Sequence, residues 1–387
     1  MTTAKEYPNA GAFPNAGSLA SPCVVIDELR LAKNIAEMQT IANAGGVALH
    51  PHIKTHKSLA IADFQRVEGA KGVTASHPAE AAVFVRAGFS PVTLAYPVIE
   101  AEPLSKLLEL GSQCGVKLRF IADSYAGVAA LAAAAEDTGK TVDVFMKVDT
   151  GLHRCGVDPG TEEAGSVAKA IHGASHLVFA GLLSHAGHSY GAGGLDGVRA
   201  VASGEAQILK ALKAKLMGLG VSVPLVSVGS TPTLIANAGF DGIDEVRPGN
   251  YVFYDMTAVR LGIVNRGQIA LAVVATIISA NSESYIVDAG SKTLSSDLGP
   301  HSVAGVTGYG EAWSEKLDRP LIVEKLSEEH GIVGRQGTGL EIGDRLLIYP
   351  NHACVVANLA AELVLLSNDG ASRMMIDAAD PSARLAF

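Results

Sequence analysis

Between residues 23 and 246 the chain alternates short, unbroken apolar runs with longer stretches in which apolar residues recur every three or four positions. An unbroken run suits a strand buried on both faces. Recurrence at three and four marks a helix with one buried face. The first helix is predicted to begin after Asp27, which reads as an N-cap, and to run through Asn43. Leu31, Ile35, Met38 and Ile41 share one face of it, and Gly45 follows its end. Strands are predicted near 47–53, 72–75, 92–96, 117–121, 142–148, 177–183, 224–228 and 243–246, with helices between most of them, among them 101–110, 125–135, 163–172 and 198–218. Eight such strands, each followed by a helix or loop over about 220 residues, fit the length of a (β/α)8 barrel. A doubly wound open sheet has the same periodicity and stands as the alternative.

After residue 261 the helical recurrence fades. Short β-like runs at 270–279, 284–287, 319–326 and 344–349 replace it. The expected organisation is therefore an N-terminal arm over 1–21, an α/β barrel over 22–261 and a mostly β domain over 262–387. The arm is rich in Pro, Gly, Ala and Asn and carries Pro-Asn-Ala-Gly twice, a composition that favours a poorly ordered tail.

Composition narrows the function classes. With 387 residues, 48% of them hydrophobic, the chain can bury two cores. A net charge of −9 lacks the basic footprint of a nucleic-acid binder. Cys23, Cys114, Cys155 and Cys354 share no short spacing, so a disulfide framework is not expected. No basic segment leads into an apolar stretch at the N-terminus, and the longest apolar run, near 269–280, is too short to span a bilayer. A cytoplasmic protein without membrane or nucleic-acid partners is the expectation.

Candidate chemistry lies at the strand ends, the edge where barrels place their active sites. Lys54 follows the first strand, crowded by His52, His56 and Lys57. Neighbouring cations and partial desolvation ease loss of a proton from an amine that must attack a carbonyl. A solvated basic cluster is the other reading. Arg154, past the fifth strand, can donate to an oxyanion. His188 and Tyr190 end the sixth strand and offer acid–base groups. Gly229, Ser230 and Thr231 follow the seventh, where a turn of amides and hydroxyls makes a phosphate cradle or simply a turn. Arg247 follows the eighth and either meets a cofactor or pairs with Glu245. In the second domain His352 and Cys354 stand two apart. In an extended segment they point to one side and can present nitrogen and sulfur to a metal; a buried cysteine beside a structural histidine is the alternative.

Six motifs together carry a resemblance: PHIKTHK at 51–57, HAGHSY at 185–190, EVRPGNY at 245–251, DAGSKTLSSD at 288–297, EEHG at 328–331 and PNHAC at 350–354. In this order and spacing they resemble the D-threonine aldolase and D-serine dehydratase family of pyridoxal-phosphate enzymes, from about Ser21 onwards. Within it the likeness is greatest to the 3-hydroxy-D-aspartate aldolases. The resemblance implies an alanine-racemase-like barrel joined to a C-terminal β domain, assembled as a homodimer. It implies that Lys54 carries pyridoxal 5'-phosphate, that Arg154 and Tyr190 contact it, that Gly229, Ser230 and Thr231 hold its phosphate, and that Arg247 and Tyr251 belong to the same site. His352 and Cys354 match the family's pair of ligands for a divalent metal such as magnesium, manganese, cobalt or zinc. The activity implied is a lyase acting on D-3-hydroxy amino acids, as an aldolase that yields glycine and glyoxylate from 3-hydroxy-D-aspartate. A metal-dependent dehydratase is the alternative, because cysteine at position 354 is the residue that the family's dehydratases tend to carry.

Overall fold

A computed structural model describes residues 13–236, 239–300 and 306–379. In chain order its strands are β1 (Cys23–Asp27), β2 (Ala48–Leu49), β3 (Val73–Ala75), β4 (Val92–Leu94), β5 (Leu118–Ala122), β6 (Val142–Lys147), β7 (Leu177–Leu183), β8 (Leu225–Val228) and β9 (Glu245–Val246), then β10 (Leu271–Ala280), β11 (Ser284–Val287), β12 (Gly310–Trp313), β13 (Leu321–Leu326), β14 (Gly331–Gly334), β15 (Arg345–Pro350), β16 (Glu362–Ser367) and β17 (Gly370–Met375). They fall into two compact units.

The first unit comprises Met38–Ala192, Asp196–Gly249 and the segment from Asp377. Its eight strands β2 to β9 are all parallel, in the order β2-β9-β8-β7-β6-β5-β4-β3. The outer two meet through a parallel bridge between His52 and Thr74 and through hydrogen bonds from Lys71 N to Leu49 O and Thr74 N to Pro51 O, both 2.8 Å. This is the (β/α)8 barrel read from the apolar runs, and the open sheet is set aside. Strand β5 is buried at every position although it carries Arg119. That guanidinium is neutralised inside by Glu245 at 2.5 Å, bonds Thr93 Oγ1 at 2.9 Å and lies over the Phe145 ring. A charge so deep is tolerated only when paired and hydrogen-bonded. The helices are closed by local signals: the Ser124 hydroxyl accepts from Gly127 N, and Gly139 ends the same helix in a left-handed conformation.

The second unit comprises, among the described residues, 13–37, 193–195 and those between Asn250 and Ile376. It is built on a nine-stranded sheet in the order β11-β14-β13-β12-β15-β10-β1-β16-β17. An added pairing of β11 with β10 closes six of these strands into a ring. Only β1 and β16 pair in parallel. Asp27 caps the helix Glu28–Gly45 as expected, its carboxylate accepting from Arg30 N at 2.9 Å. A single cut near residue 261 does not describe this unit. Strand β1 lies between β10 and β16, and residues 22–37 and 250–261, expected with the barrel, belong here. Pairing across such sequence distance leaves no mark in local periodicity. Strands β12, β14, β16 and β17 and the helix Ala353–Leu359 also exceed the expectation of four β runs. Of the expected arm, residues 1–12 lie outside the described residues. Residues 13–21 are not a loose tail: Phe13 is buried under the Arg30 guanidinium, and Asn15 bonds Ser367 O. No helix among the described residues is long and apolar enough to cross a membrane.

Candidate active site

Strand β2 is only two residues long, so the segment after it is placed by its own turn and its neighbours. Lys54 sits in the 3-10 turn Ile53–Thr55. His52 N donates to Pro248 O at 2.8 Å on one side, and Lys57 N to Ile53 O at 2.7 Å on the other. Lys57 takes a left-handed conformation, with φ of 52°. Gly249 packs so closely on this turn that a Cβ there would lie 2.7 Å from Thr55 Oγ1 and 3.1 Å from His52 O.

Several cations gather around Lys54, opposed by the buried Glu80 carboxyl, which interacts with Lys54 and Lys57. His52 is held well below the usual imidazole range, first by burial and then by Lys54, Arg247, Arg154 and His56. His185 is pushed down in the same way, by burial and then by Lys54, Lys147 and Arg154, against the opposing pull of its bond to Gly229 O. Burial also lowers Lys147 to about 8, and Arg247 adds to the effect. Two neutral imidazoles, from the ends of β2 and β7, therefore sense a shared set of cations. Such a mouth is built for an anion.

Arg247 is itself fully engaged. It donates to Ser227 Oγ at 2.6 Å and to Ser184 O, tying the end of β9 to β8 and β7. Its expected pairing with Glu245 is not an ion pair, since Glu245 bonds Arg119 and His50 instead. Gly229 follows β8, and a Cβ there would come within 2.9 Å of Arg247 O. Ser230 and Thr231 are buried at the start of the short helix Thr231–Ala236. Ser230 Oγ bonds Ser189 Oγ at 3.0 Å, which joins the phosphate-loop candidate to the 3-10 turn Gly187–Gly191 that bears Tyr190. His188, in that same turn, packs on Gly151 and interacts with Asp149 and His153. Tyr251 is fully buried in the turn Asn250–Val252 of the second unit.

In that second unit His352 and Cys354 do come together, but not through an extended strand. β15 ends at Pro350, His352 is the N-cap of the helix Ala353–Leu359, and Cys354 lies in its first turn. His352 Nδ1 bonds Asp297 Oδ2 at 2.7 Å. Burial opposes a charge on this imidazole, yet its bonds to Asp297 and Cys354 and the nearby Asp255 raise its pKa to about 10. Asp255 is wholly buried and accepts from Asn250 Nδ2, Ala353 N and Thr257 N. Asn250 also donates to Cys354 Sγ at 3.6 Å. Among the described residues no three His, Cys, Asp or Glu side chains form a group that could hold a metal ion. Lys147, Asp255 and Asp297 carry no role in the reading of the sequence, and His185 enters it only as the first histidine of the HAGHSY motif. His185 and Asp297 lie inside motifs quoted above, which is the signal that pointed near them.

Comparison with known proteins follows from this geometry. Residues 26–257 match the model of the alanine racemase N-terminal domain, and residues 270–366 match a putative serine dehydratase domain. The D-threo-3-hydroxyaspartate dehydratase of Delftia sp. (strain HT23) is 35% identical over 91% of this chain and 96% of its own. The chain belongs to the D-threonine aldolase and D-serine dehydratase family. A solved structure of that dehydratase has a TM-score of 0.86 at 34% identity, covering 93% of this chain and 98% of its own. The same protein has been solved with a histidine replaced by alanine, and, in a metal-free form, with a cysteine two positions further on replaced by alanine. The 3-hydroxy-D-aspartate aldolase of Paracoccus denitrificans is 28% identical over 88% of this chain and 87% of its own. The greater likeness expected to such aldolases is therefore not what identity gives. The D-threonine aldolase structure from Filomicrobium marinum has a TM-score of 0.84 at 26% identity, covering 97% of this chain and 99% of its own.

Proposed function

We propose that the chain is a pyridoxal-phosphate- and metal-dependent lyase that removes water from D-3-hydroxy amino acids, with 3-hydroxy-D-aspartate as substrate. The observation that carries this reading is the cationic mouth around Lys54, where His52 and His185 are both held neutral. Such a mouth fits an anionic cofactor and a dicarboxylate substrate. Lys54 would hold the cofactor through its amine, and the backbone amides of Gly229, Ser230 and Thr231, at the start of a short helix, would receive its phosphate. His352 and Cys354 would offer a nitrogen and a sulfur to a divalent cation, with Asp297 bonded behind the imidazole and the buried Asp255 carboxylate beside the start of the same helix.

When bound, pyridoxal phosphate supplies an electron sink for charge developing at the substrate's α-carbon, and a divalent metal supplies Lewis-acid pull on a hydroxyl. The chain's own groups do the rest. Lys54 Nζ takes the α-proton. Arg154 and Lys147 balance the negative charge brought by carboxylates and the cofactor's phenolic oxygen. Neutral His52 and His185 add hydrogen-bonding capacity without adding charge. Asp297 orients the His352 ring through Nδ1, as an acceptor behind a ligating histidine does.

Dehydration is preferred to the cleavage implied by the resemblance for two reasons. The 35% relative is a dehydratase, and its substituted histidine and cysteine are spaced as His352 and Cys354 are. Aldol cleavage is the second reading, supported by the aldolase relatives. Product analysis separates the two. Dehydration of 3-hydroxy-D-aspartate gives oxaloacetate and ammonia; cleavage gives glycine and glyoxylate. Glycine formed in step with substrate loss would replace the dehydratase reading. Borohydride reduction of the loaded protein should leave its label on Lys54, and a label on Lys57 would sink the assignment.

A further inference from the structure

The chain's last described residues leave β17 and turn to the barrel unit, where Asp377 and Ala378 meet the segment that follows Lys54. Ala378 N donates to Lys57 O at 3.0 Å, and Asp377 Oδ2 accepts from Leu59 N at 2.7 Å. Both contacts fall within one unit. They also fall where the local sequence leaves a gap. The helix Leu59–Glu68 has Ser58 at its N-cap, yet the Ser58 side chain makes no capping bond, and its hydroxyl is buried without a partner. The carboxylate that satisfies the first amide of this helix comes instead from Asp377, at the end of the helix that favours negative charge. The neighbouring peptide is the one at Lys57, held at a φ of 52°, which a lysine adopts only when its surroundings fix it.

We infer that Asp377 is a positioning residue: with Ala378 it clamps Lys57–Leu59 and so fixes the turn that presents Lys54. This rests on the reading that Lys54 carries the cofactor. Pro248 and Gly249 meet the turn from another side, and the clamp adds two hydrogen bonds to the segment after Lys54. Asp377 touches no reacting atom. Its effect is on where the Lys54 amine sits and how freely it moves.

Hydrogen exchange on the cofactor-free full chain reads the clamp without reference to catalysis. In Asp377→Ala the amide of Leu59 should exchange about tenfold faster, the loss of the one hydrogen bond it donates to the carboxylate, and the amide of Ala378, which donates to Lys57 O, should follow it, while peptides covering β5 and β6 stay unchanged. Asp377→Asn keeps an acceptor oxygen and should restore slow exchange. In the loaded protein Asp377→Ala should lower kcat severalfold with little change in KM, and move the pH at which the visible cofactor band changes; Asp377→Asn should restore both. If Asp377→Ala does not fold, Asp377→Glu, which displaces the carboxylate by one methylene, serves for the same exchange measurement. Unchanged exchange at Leu59, exchange raised throughout the barrel, or identical behaviour of the Ala and Asn variants overturns the clamp. Exchange that responds as expected while borohydride labels a residue other than Lys54 upholds the clamp and removes the cofactor reading instead.

Discussion

Replacing Gly249 by alanine tests how tightly the Lys54 turn is held from its other side. The added Cβ would stand 2.7 Å from Thr55 Oγ1, 3.1 Å from His52 O and 3.2 Å from His52 Cβ. Carbon and oxygen rest about 0.5 Å or more beyond the first of these distances, so something must move. Thr55 is buried and stiff at χ1, and two of the three obstacles belong to His52, whose backbone is bonded to Pro248. The relief must therefore come largely from the turn itself. Overpacking of this kind costs about 1–3 kcal/mol, which lowers Tm by roughly 2–10 °C in a unit of this size. A displacement of some tenths of an ångström at the Lys54 amine should reduce kcat by about tenfold, because misplacement by ~1 Å costs about a hundredfold. Thermal unfolding and steady-state rates measure the two effects. The double variant Gly249→Ala with Thr55→Ala removes the nearest obstacle and should recover part of both losses. If Gly249→Ala unfolds at the native temperature and turns over at the native rate, the turn is looser than its contacts say.

Further expectations concern pH, the second unit and Arg247. His50 and His56 are buried with pKa values lowered to about 4 and about 3, chiefly by burial, from 6.5. Because the unfolded chain takes up these protons first, their contribution to stability is complete above pH 6.5 and is lost as pH falls towards 4 and then 3, by at most ~1.4 kcal/mol per pH unit for each. A Tm that falls over this window, less steeply in His56→Gln, is the expected result; equal slopes contradict it. Asp297→Asn should weaken divalent-metal affinity by about 10–100-fold in a metal titration while the visible cofactor band persists. Arg247→Lys cannot reach Ser227 and Ser184 together and should cost about 1–3 kcal/mol by denaturant unfolding.

The barrel was legible because most of its strands lie in mainly apolar runs, although β5 carries Arg119 and β9 begins with Glu245. The expected runs at 142–148, 177–183 and 224–228 became Val142–Lys147, Leu177–Leu183 and Leu225–Val228 with little change of boundary. The second unit was harder to read. β12 and β14 are four residues each and begin with glycine, so their apolar signal is short, and the partners of β1 are remote in sequence. The candidate site divides the same way. Lys54, Arg154 and Gly229 announce themselves by residue type at strand ends. That His352 leans on Asp297, and that Asp255 is buried beneath the start of the same helix, depends on loops meeting across long stretches of chain. The geometry first assigned to His352 and Cys354 was wrong because a helix start, and not a continued strand, follows Pro350.

The place of β1 has a consequence for the order in which the chain can fold as it leaves the ribosome. Each neighbouring pair from β3 through β9 is also consecutive in sequence, so that part of the barrel can be added strand by strand as it is synthesised. β1 is made first, yet its partners are residues 271–274 on one side and 364–366 on the other. One edge, with Val25 and Ile26 apolar and buried in the finished protein, must wait unpaired until residues 271–274 are made, and the other until residues 364–366 are made. The nascent chain thus carries an adhesive strand near its beginning until its end emerges. Slow translation or a stalled chain should expose it, and substitutions in β1 should reduce yield out of proportion to their effect on the stability of molecules that complete folding.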